Sequence, residues 1–556
     1  MNWITTISGW IVSLFQWILN LPWLIAEIFS ERGVLLLSFA IIFFASYFLT
    51  HKIVPAFFIL VGRILGFQMK FTPLTAKRVQ RFKSIRRGYV CFTIISSLFV
   101  MSLGLELLVN NKPLYIRYTA DIVHLKGGGR VEGRVIDRGD RVLVRFPSDE
   151  IEIPRERIER IEQKEEVQYP AVANWIGKWS PFWKPIDLAQ NKRFGLDGPG
   201  IEGDSEVDYR QFSRWVKHPV EALEGDAKQI EANIEGDKIR FRKMLADSAR
   251  HRNLPYDPQS PLPPFKLEEY KQRRNEAAYL RSLQATFASD DVSIWMPLIP
   301  FSPLEKLLHL PGRPPLRPSI KSTTENGTTL PMMGTDSGGQ DVLAQVLYGF
   351  RIGLAFALLV TFIGNFVGVL VGGAMGYYGG WFDILLQRFI EIWSAIPFLF
   401  TLMILSDFIK PSFWTMVLLL LFLRAWIGLT NTMRGEFYRE KARDYVQAAQ
   451  AIGVRDGKVM TRHILPNALV PLVTYTPFEI VAYISTLVSL DYLGFGLGPD
   501  TPSWGNLLKD GSENISNYPH LITIPILAFA LTLFCVVMVG EAVREGFDPK
   551  KYARLH

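Results

Sequence analysis

The chain has 556 residues, of which 49% are hydrophobic, 13% aromatic and 21% charged, with a formal net charge of +8. A mean hydropathy just above zero at this length, with the apolar residues unevenly spread, argues against a wholly soluble array of domains. The apolar residues gather in blocks at 4–29, 34–66, 89–109, 352–375, 389–409, 413–431, 468–490 and 520–543, and several reach the ~20 apolar residues a helix needs to cross a bilayer. The chain therefore reads as a polytopic membrane protein whose charges collect mainly in a hydrophilic insertion.

The first 67 residues read as an added pair of membrane helices. Ser30-Glu31-Arg32-Gly33 separates two apolar runs and leaves room only for a tight hairpin. The second run meets His51-Lys52 after about 17 apolar residues, the lower limit for a span, and 53–67 then reads as an interfacial helix with Arg63 snorkelling. The first block lacks a basic start and a small-residue cleavage site, so it does not read as a cleavable signal. Trp3, Trp10, Trp17 and Trp23 mark membrane interfaces rather than a binding box.

Charge placement sets the expected orientation. Between Arg63 and Leu105 there is no acidic residue, whereas Lys70, Lys77, Arg78, Arg81, Lys83, Arg86 and Arg87 are all basic. Such a cluster before an apolar run holds a segment in the cytoplasm, which explains it better than nucleic-acid binding does. Residues 89–109 then run outward, 110–345 lie outside, and the later blocks alternate. The loop with Arg434, Arg439, Lys441, Arg443, Arg455, Lys458 and Arg462 and the tail with Arg544, Lys550, Lys551 and Arg554 fall inside without adjustment. The domains expected are 1–67, the extra hairpin; 68–109, the basic segment and first core helix; 110–345, the external (periplasmic) insertion; and 346–556, the remaining core helices with a cytoplasmic loop at 434–466.

Within the insertion, 121–161 alternates with period two in short runs, Ile122–Leu125, Arg134–Ile136, Val142–Phe146 and Ile151–Ile153. Gly127-Gly128-Gly129, Arg138-Gly139-Asp140 and Pro147-Ser148-Asp149 punctuate them as turns, a pattern predicting a small antiparallel sheet or barrel. It resembles the small SH3-like or Sm-like barrels, and its external place favours a structural or docking role over RNA binding. Residues 205–285 predict solvated helices broken at Leu254-Pro255 and Pro261–Pro264, with sparse apolar positions such as Ile230, Ile234, Ile239, Phe241, Met244 and Leu245. The Pro-, Thr- and Ser-rich stretch 311–331 predicts an extended connector.

Signatures of covalent chemistry are missing. There is no G-x-x-x-x-G-K-[ST] phosphate loop, no H-E-x-x-H, no G-x-S-x-G, and the eight histidines are scattered. The two cysteines, Cys91 and Cys535, sit in separate apolar blocks, too few for a disulfide framework or a thiolate metal site. No catalytic residue and no metal ligand is expected, nor any cofactor bound by this chain. Uphill movement of a substrate would draw its energy from a partner or an ion gradient.

The informative loop runs Asp444-Tyr445-Val446-Gln447-Ala448-Ala449-Gln450-Ala451-Ile452-Gly453, continues to Arg462, and ends His463-Ile464-Leu465-Pro466-Asn467. It predicts a helix, a glycine stop, a second short helix and a proline opening the next span. Ala448 and Ala449 are expected to form a small apolar face for another protein. An ordinary cytoplasmic helical hairpin would share this local pattern.

The wider pattern separates the two. The loop resembles the coupling motif of ABC-importer permeases, E-A-A-x-x-x-G followed by a stretch ending in L-P. Ala448, Ala449, Gly453, Leu465 and Pro466 match it, and Gln447 stands where the motif has Glu. Gly334–Leu343 with Leu347–Gly349, Arg351 and Ile352 resembles the lead-in to the second core helix of dipeptide and oligopeptide permeases. Ser489–Gly496 with Thr501–Gly505 resembles their last external loop, and Gly376–Gly380 and Gly540–Pro549 fit as well. Arg86–Tyr89 and Asn111–Tyr118 resemble the permease subgroup of peptide and microcin C importers. The resemblance covers roughly 75–118 and 290–550, leaving the hairpin and most of the insertion outside it.

The resemblance implies an all-α type I permease core of six transmembrane helices in a bacterial cytoplasmic (inner) membrane. It also implies a second permease subunit, ATP-binding subunits that carry ATP and Mg, and an external substrate-binding protein; membrane lipid is a partner and nucleic acid is not. Gln447, Ala448, Ala449, Gly453, Leu465 and Pro466 would couple to the ATPase. Charges within spans are expensive and so mark candidate sites. Arg388 and Glu391, three apart, neutralise each other or line a path. Glu479 lines the path toward a peptide amine or pairs with the second permease. The rival classes are an ion-coupled secondary transporter, against which stands the lack of an internal repeat, and a membrane-anchored scaffold acting through its insertion.

Overall fold

The computed structural model describes residues 37–48 save 39, 73–179 save 138 and 146–149, 209–251, 257, 261–287, 292–324 save 309 and 311, and 329–547 save 410 and 499. The turn at 30–33, the interfacial helix read over 53–67, the turn at 147–149, the break at 254–255 and the tail from 548 lie outside the described residues. The chain divides into two compact units, one of Met1–Leu105, Pro303–Ile320 and Pro331–His556, the other of Glu106–Ser302 and Lys321–Leu330.

The first unit is helical. It contains α1 (Pro73–Ser84) and α2 (Arg86–Leu103). The second unit contributes the next elements in chain order, β1 (Tyr115–Leu125), β2 (Arg130–Asp137), β3 (Arg141–Arg145), β4 (Glu150–Pro154), β5 (Ile158–Gln168), α3 (Pro170–Trp179), α4 (Tyr209–Lys217), α5 (Pro219–His251), α6 (Pro264–Phe287) and β6 (Val292–Trp295). The first unit then resumes with α7 (Val342–Tyr378), α8 (Gly380–Ser394), α9 (Phe398–Phe408), α10 (Phe413–Leu420), α11 (Ile427–Lys441), α12 (Asp444–Ala451), α13 (Leu465–Leu493), α14 (Trp504–Glu513) and α15 (His520–Phe547).

By length and composition, three helical stretches of the described residues can cross a membrane: Val342–Tyr378, Asp456–Leu493 and His520–Phe547. Three bent pairs pass the same test together, Arg78–Ser84 with α2 at 92°, α8 with Phe398–Ser406 at 69°, and Phe413–Ala425 with α11 at 43°, so the number of spans is up to six. The blocks at 389–409 and 413–431, each read from the sequence as one run, are thus bent. Pro397 caps the start of α9 where no helical hydrogen bond is possible, and a π-helical turn at Leu421–Ala425 separates α10 from α11. Gly379 and Gly380, at φ +64° and +59°, take the positive-φ backbone that glycine alone adopts readily, ending α7 and starting α8.

A stripe of glycines decides how α7 packs. Gly364, Gly368, Gly372 and Gly376 recur every fourth residue on one face. A Cβ added to Gly372 would meet the Thr430 carbonyl oxygen at 2.3 Å, and one at Gly376 would meet that of Arg434 at 2.5 Å. Backbone-to-backbone approach of this kind suits membrane helices, whose association rests on close packing rather than on the hydrophobic effect. Beyond the stripe, Phe356, Val360, Met416, Leu420 and Leu487 join one buried cluster.

In the second unit the sheet runs in the order β4-β3-β2-β1-β5, with β6 also pairing β1, and every ladder is antiparallel. The alternating runs read from the sequence form β1–β4 and bury Val123, Val142, Val144 and Ile153 together. The strands extend further than the alternation, however. The charged segment Ile158–Gln168 pairs with β1 along its whole length, and β6 joins from more than 120 residues away. Among the described pairings, β4 and β5 stand at the two ends of this order.

The helices over 209–287 are less solvated than their composition suggests. Phe212, Trp215, Leu223, Ala227, Ala277 and Leu280 pack with Ile116 and Ile294 into a core. Asp226, buried, accepts hydrogen bonds from Arg214 and from Trp215 Nε1 at 2.7 Å. Ile234 is buried, but Ile239 and Met244 are exposed.

Candidate functional site

The loop at 434–466 folds as helix α11, helix α12, a sharp turn, a short helical turn at Asp456–Lys458 and a π-helical turn at Val459–Ile464 that runs into α13. Helix α12 is two-faced. Val446 and Ala449 are buried, and Val446 packs with Tyr377, Leu429, Met433, Phe437, Val459, Ile464 and Ala468. Gln447, Ala448, Ala451, Ile452 and Gly453 face outward. The Ala448–Ala449 pair read as one apolar face is therefore split, because adjacent helical residues point about 100° apart. Ala449 anchors the helix, and the large outward apolar group is Ile452, 81% exposed.

The end of α12 explains Gly453. It has φ +79°, and nothing lies within 4 Å of a Cβ added there, so backbone conformation rather than close approach requires glycine. The Val454 N–H donates to the Ala449 carbonyl (3.1 Å) and the Gly453 N–H to that of Gln450 (2.9 Å), the paired bonds of a Schellman C-cap. Pro466 then follows directly on the π-helical turn, at the start of α13. Leu465 beside it is half-buried.

Polar bonds fix this hairpin to the spans. The Tyr377 hydroxyl donates to Asp456 Oδ1 (2.5 Å) and accepts from Gln450 Nε2 (3.2 Å), while Lys441 Nζ donates to the Tyr377 carbonyl. The Tyr445 hydroxyl donates to Glu440 Oε2 (2.7 Å) and accepts from Asn467 Nδ2 (2.9 Å). Burial, and then the Glu440 carboxylate, push the Tyr445 phenol above its usual range. Deeper, Arg434 grips Asp383 with Nε on Oδ1 (2.5 Å) and Nη2 on Oδ2 (2.7 Å), and the Tyr438 hydroxyl joins at 2.6 Å. Replacing Tyr377 with phenylalanine should cost about 1–3 kcal/mol, the loss of a hydrogen bond to a charged group. It would appear as a lower thermal midpoint in detergent, and an unchanged midpoint would show that these bonds do not hold α12.

Arg388 and Glu391 form an ion pair at 2.6 Å on α8, and both are exposed. Glu479 lies on α13, and no hydrogen bond or ion pair among the described contacts joins it to that pair. Its neighbourhood is one the sequence could not reveal: Asn365 of α7 donates to Thr476 Oγ1 (3.2 Å), one turn before Glu479 on α13. The Glu479 Oε2 atom is buried and has no hydrogen-bond partner.

The other motif stretches form two tied corners. At the first, Asp341 caps α7 by accepting from the Ala344 N–H (2.6 Å), and Asp336 accepts from the Gln340 N–H and Gln345 Nε2, both at 2.7 Å. The Ser337 N–H donates to Asp510 of α14 (3.0 Å). Burial pushes the Asp336 carboxyl above its usual range, against the pull of those hydrogen bonds. At the second, buried Asp491 accepts from the Leu497 N–H (2.5 Å) and from the Ser503 hydroxyl. Trp504 Nε1 donates to the Val346 carbonyl (3.0 Å), and Gly505 lies so close that a Cβ would meet the Asp491 Cβ at 2.4 Å.

Sequence reasoning missed Tyr377, Asp456, Asp383 and Arg434 as a supporting network, because their partners lie more than 50 residues apart. It also missed the glycine stripe, although its four-residue spacing is visible in the sequence.

Comparison with known proteins agrees with these features. The family described as "Binding-protein-dependent transport system inner membrane component" matches residues 333–551. The chain is 46% identical over 219 residues to the inner membrane ABC transporter permease protein YejE of Escherichia coli (strain K12), covering 39% of this chain and 64% of that protein. It is 43% identical over 223 residues to the peptidoglycan transport system permease protein YejE of Agrobacterium fabrum, covering 40% and 58%. The chain thus spans less than two thirds of the length of either relative. Against the oligopeptide transport system permease protein OppC of Haemophilus influenzae it is 34% identical over 217 residues, 39% of this chain and 70% of that one. With that identity across more than two thirds of a relative, and the family match over its helical unit, the chain belongs to the binding-protein-dependent transport system inner membrane components and is a multi-pass membrane protein.

Proposed function

We propose that this chain is one permease subunit of an ATP-driven importer for peptides or peptide conjugates. A second permease subunit stands beside it, ATP-binding subunits dock inside, and a substrate-binding protein delivers from outside; ATP and Mg reside on the partner ATPase. Six core helices, counting each bent pair as one span, carry the pathway, and 1–67 and 110–345 are additions to that core. The observation that carries this reading is the two-faced α12. Val446 roots it in the core shared by α7, α11 and α13 and Ala449 is buried, while Gln447, Ala448, Ile452 and Gly453 face outward at its end. A partner that moves this face moves the rooted spans with it, a two-state transition biased by nucleotide. Leu465 and Pro466 set where the lever enters α13, and Glu479 lines the path or braces α13 against a neighbour.

The test is purification of the tagged chain from its own host in mild detergent, with identification of what accompanies it and an assay of ATP hydrolysis. A second permease and an ATPase, with hydrolysis stimulated by a binding protein, are expected. A lone chain across several detergents would favour the ion-coupled or scaffold class. In the same preparation, Ile452→Asp should weaken ATPase retention about 10–100-fold, since burying an isoleucine side chain contributes about 1.5–3 kcal/mol. Stability should be unchanged because Ile452 is exposed. Full retention would remove Ile452 from the docking face.

A further inference from the structure

The two cysteines of the chain meet across the seam between α2 and α15. The seam is antiparallel, and its register can be followed residue by residue. Near one end Arg87 Nη2 lies 3.7 Å from Glu545 Oε2. One turn on, a Cβ added to Gly88 would meet the Ala542 Cβ at 2.0 Å and the Met538 carbonyl oxygen at 2.9 Å. Further along, Ile95 and Phe99 share a packed cluster with Leu533, Phe529 and Ala528. Cys91 lies one turn beyond Gly88 on α2 and Cys535 one turn before Met538 on α15, so this register sets the two thiols opposite one another. The glycine brings the two backbones together one helical turn away, which favours the Cα separation of about 4.4–6.8 Å that a disulfide requires. Both thiols are free, Cys91 buried and Cys535 partly exposed.

We infer that Cys91 and Cys535 form an intramolecular disulfide site that staples α2 to α15 when an apolar small-molecule disulfide reaches the membrane. The accessible Cys535 thiolate attacks the reagent, forming a mixed disulfide and expelling one thiolate. The Cys91 thiolate then attacks the Cys535 sulfur and expels the second. Two protein thiols are oxidised, one small disulfide is reduced to two thiols, and the two protons pass to the departing thiolates. The soft pair needs no third ligand and no catalytic group, so the contact alone sets the reaction. It lies on α2 and α15, apart from the outward face of α12.

The full chain in its native membranes is treated with dithiodipyridine, quenched by alkylation, and its intact mass measured. The expected product has lost two hydrogens and carries neither pyridyl adduct nor alkyl group. Cys91→Ser should stop at the first step, keeping one pyridyl adduct on Cys535. Proteolysis between the two positions should leave wild-type fragments joined without reductant and separate with it, whereas Cys535→Ser fragments separate in both. Two retained adducts on the wild type, or a covalent dimer, would overturn the inference.

Discussion

Replacing Gly453 with aspartate should bring transport to background while the helical unit stays folded. The backbone at Gly453 is left-handed, which costs a non-glycine residue roughly 1–2 kcal/mol, and aspartate is among the side chains that tolerate it best. Nothing lies within 4 Å of the new Cβ, so the fold contributes no clash. The carboxylate would instead project from the outward end of α12, where a docked partner would have to bury it unpaired. Transport into proteoliposomes should fall at least about 100-fold, the effect of losing roughly 3 kcal/mol at the interface. Thermal unfolding should shift by no more than the backbone strain. Gly453→Ala separates the contributions, since it keeps the strain without the charge and should retain most transport. Wild-type transport by the aspartate variant would remove α12 from the coupling role.

The larger effect on stability is expected at Gly372. A Cβ there would sit 2.3 Å from the Thr430 carbonyl oxygen and 3.0 Å from the Met433 Cβ. Neither the backbone atom nor the buried methionine can yield cheaply. Overpacking a core typically costs about 1–3 kcal/mol, and leucine at this position would force α7 and α11 apart along their shared seam, costing about 3 kcal/mol or more. Gly372→Leu should yield little monodisperse protein in detergent, with a much lower thermal midpoint. Gly428→Leu supplies the control, because nothing lies within 4 Å of a Cβ at that exposed position of α11. Equal losses at both positions would show that close approach of α7 and α11 does not hold the unit together.

The coupling of these two regions has a physical basis in Tyr377. It closes α7 just beyond the glycine stripe and holds Asp456 and Gln450 at the base of the hairpin. A disturbance along the α7–α11 seam therefore reaches α12 through one side chain. The double substitution Gly372→Ala with Tyr377→Phe should accordingly destabilise by less than the sum of its parts, because the hydroxyl bonds through which the seam acts on α12 are already gone.

What the sequence determined by itself was local. Apolar length marked the helical blocks long enough to span a membrane, and the glycine at 453 marked the end of α12, because each depends on residues a few positions apart. Period-two alternation likewise predicted β1–β4, but not β5, whose charged residues carry no alternation and whose pairing comes from β1. Tertiary structure alone decided the rest. It turned Ala449 inward and left Ile452 outside, because the face a helix buries depends on what lies beneath it. It bent α8 from α9 and α10 from α11, tied Asn365 of α7 to Thr476 of α13, and joined Asp383 to Arg434 across 51 positions. It also set Cys91 beside Cys535, since two residues in distant apolar blocks meet only when the packing of glycine against alanine fixes the register of their helices.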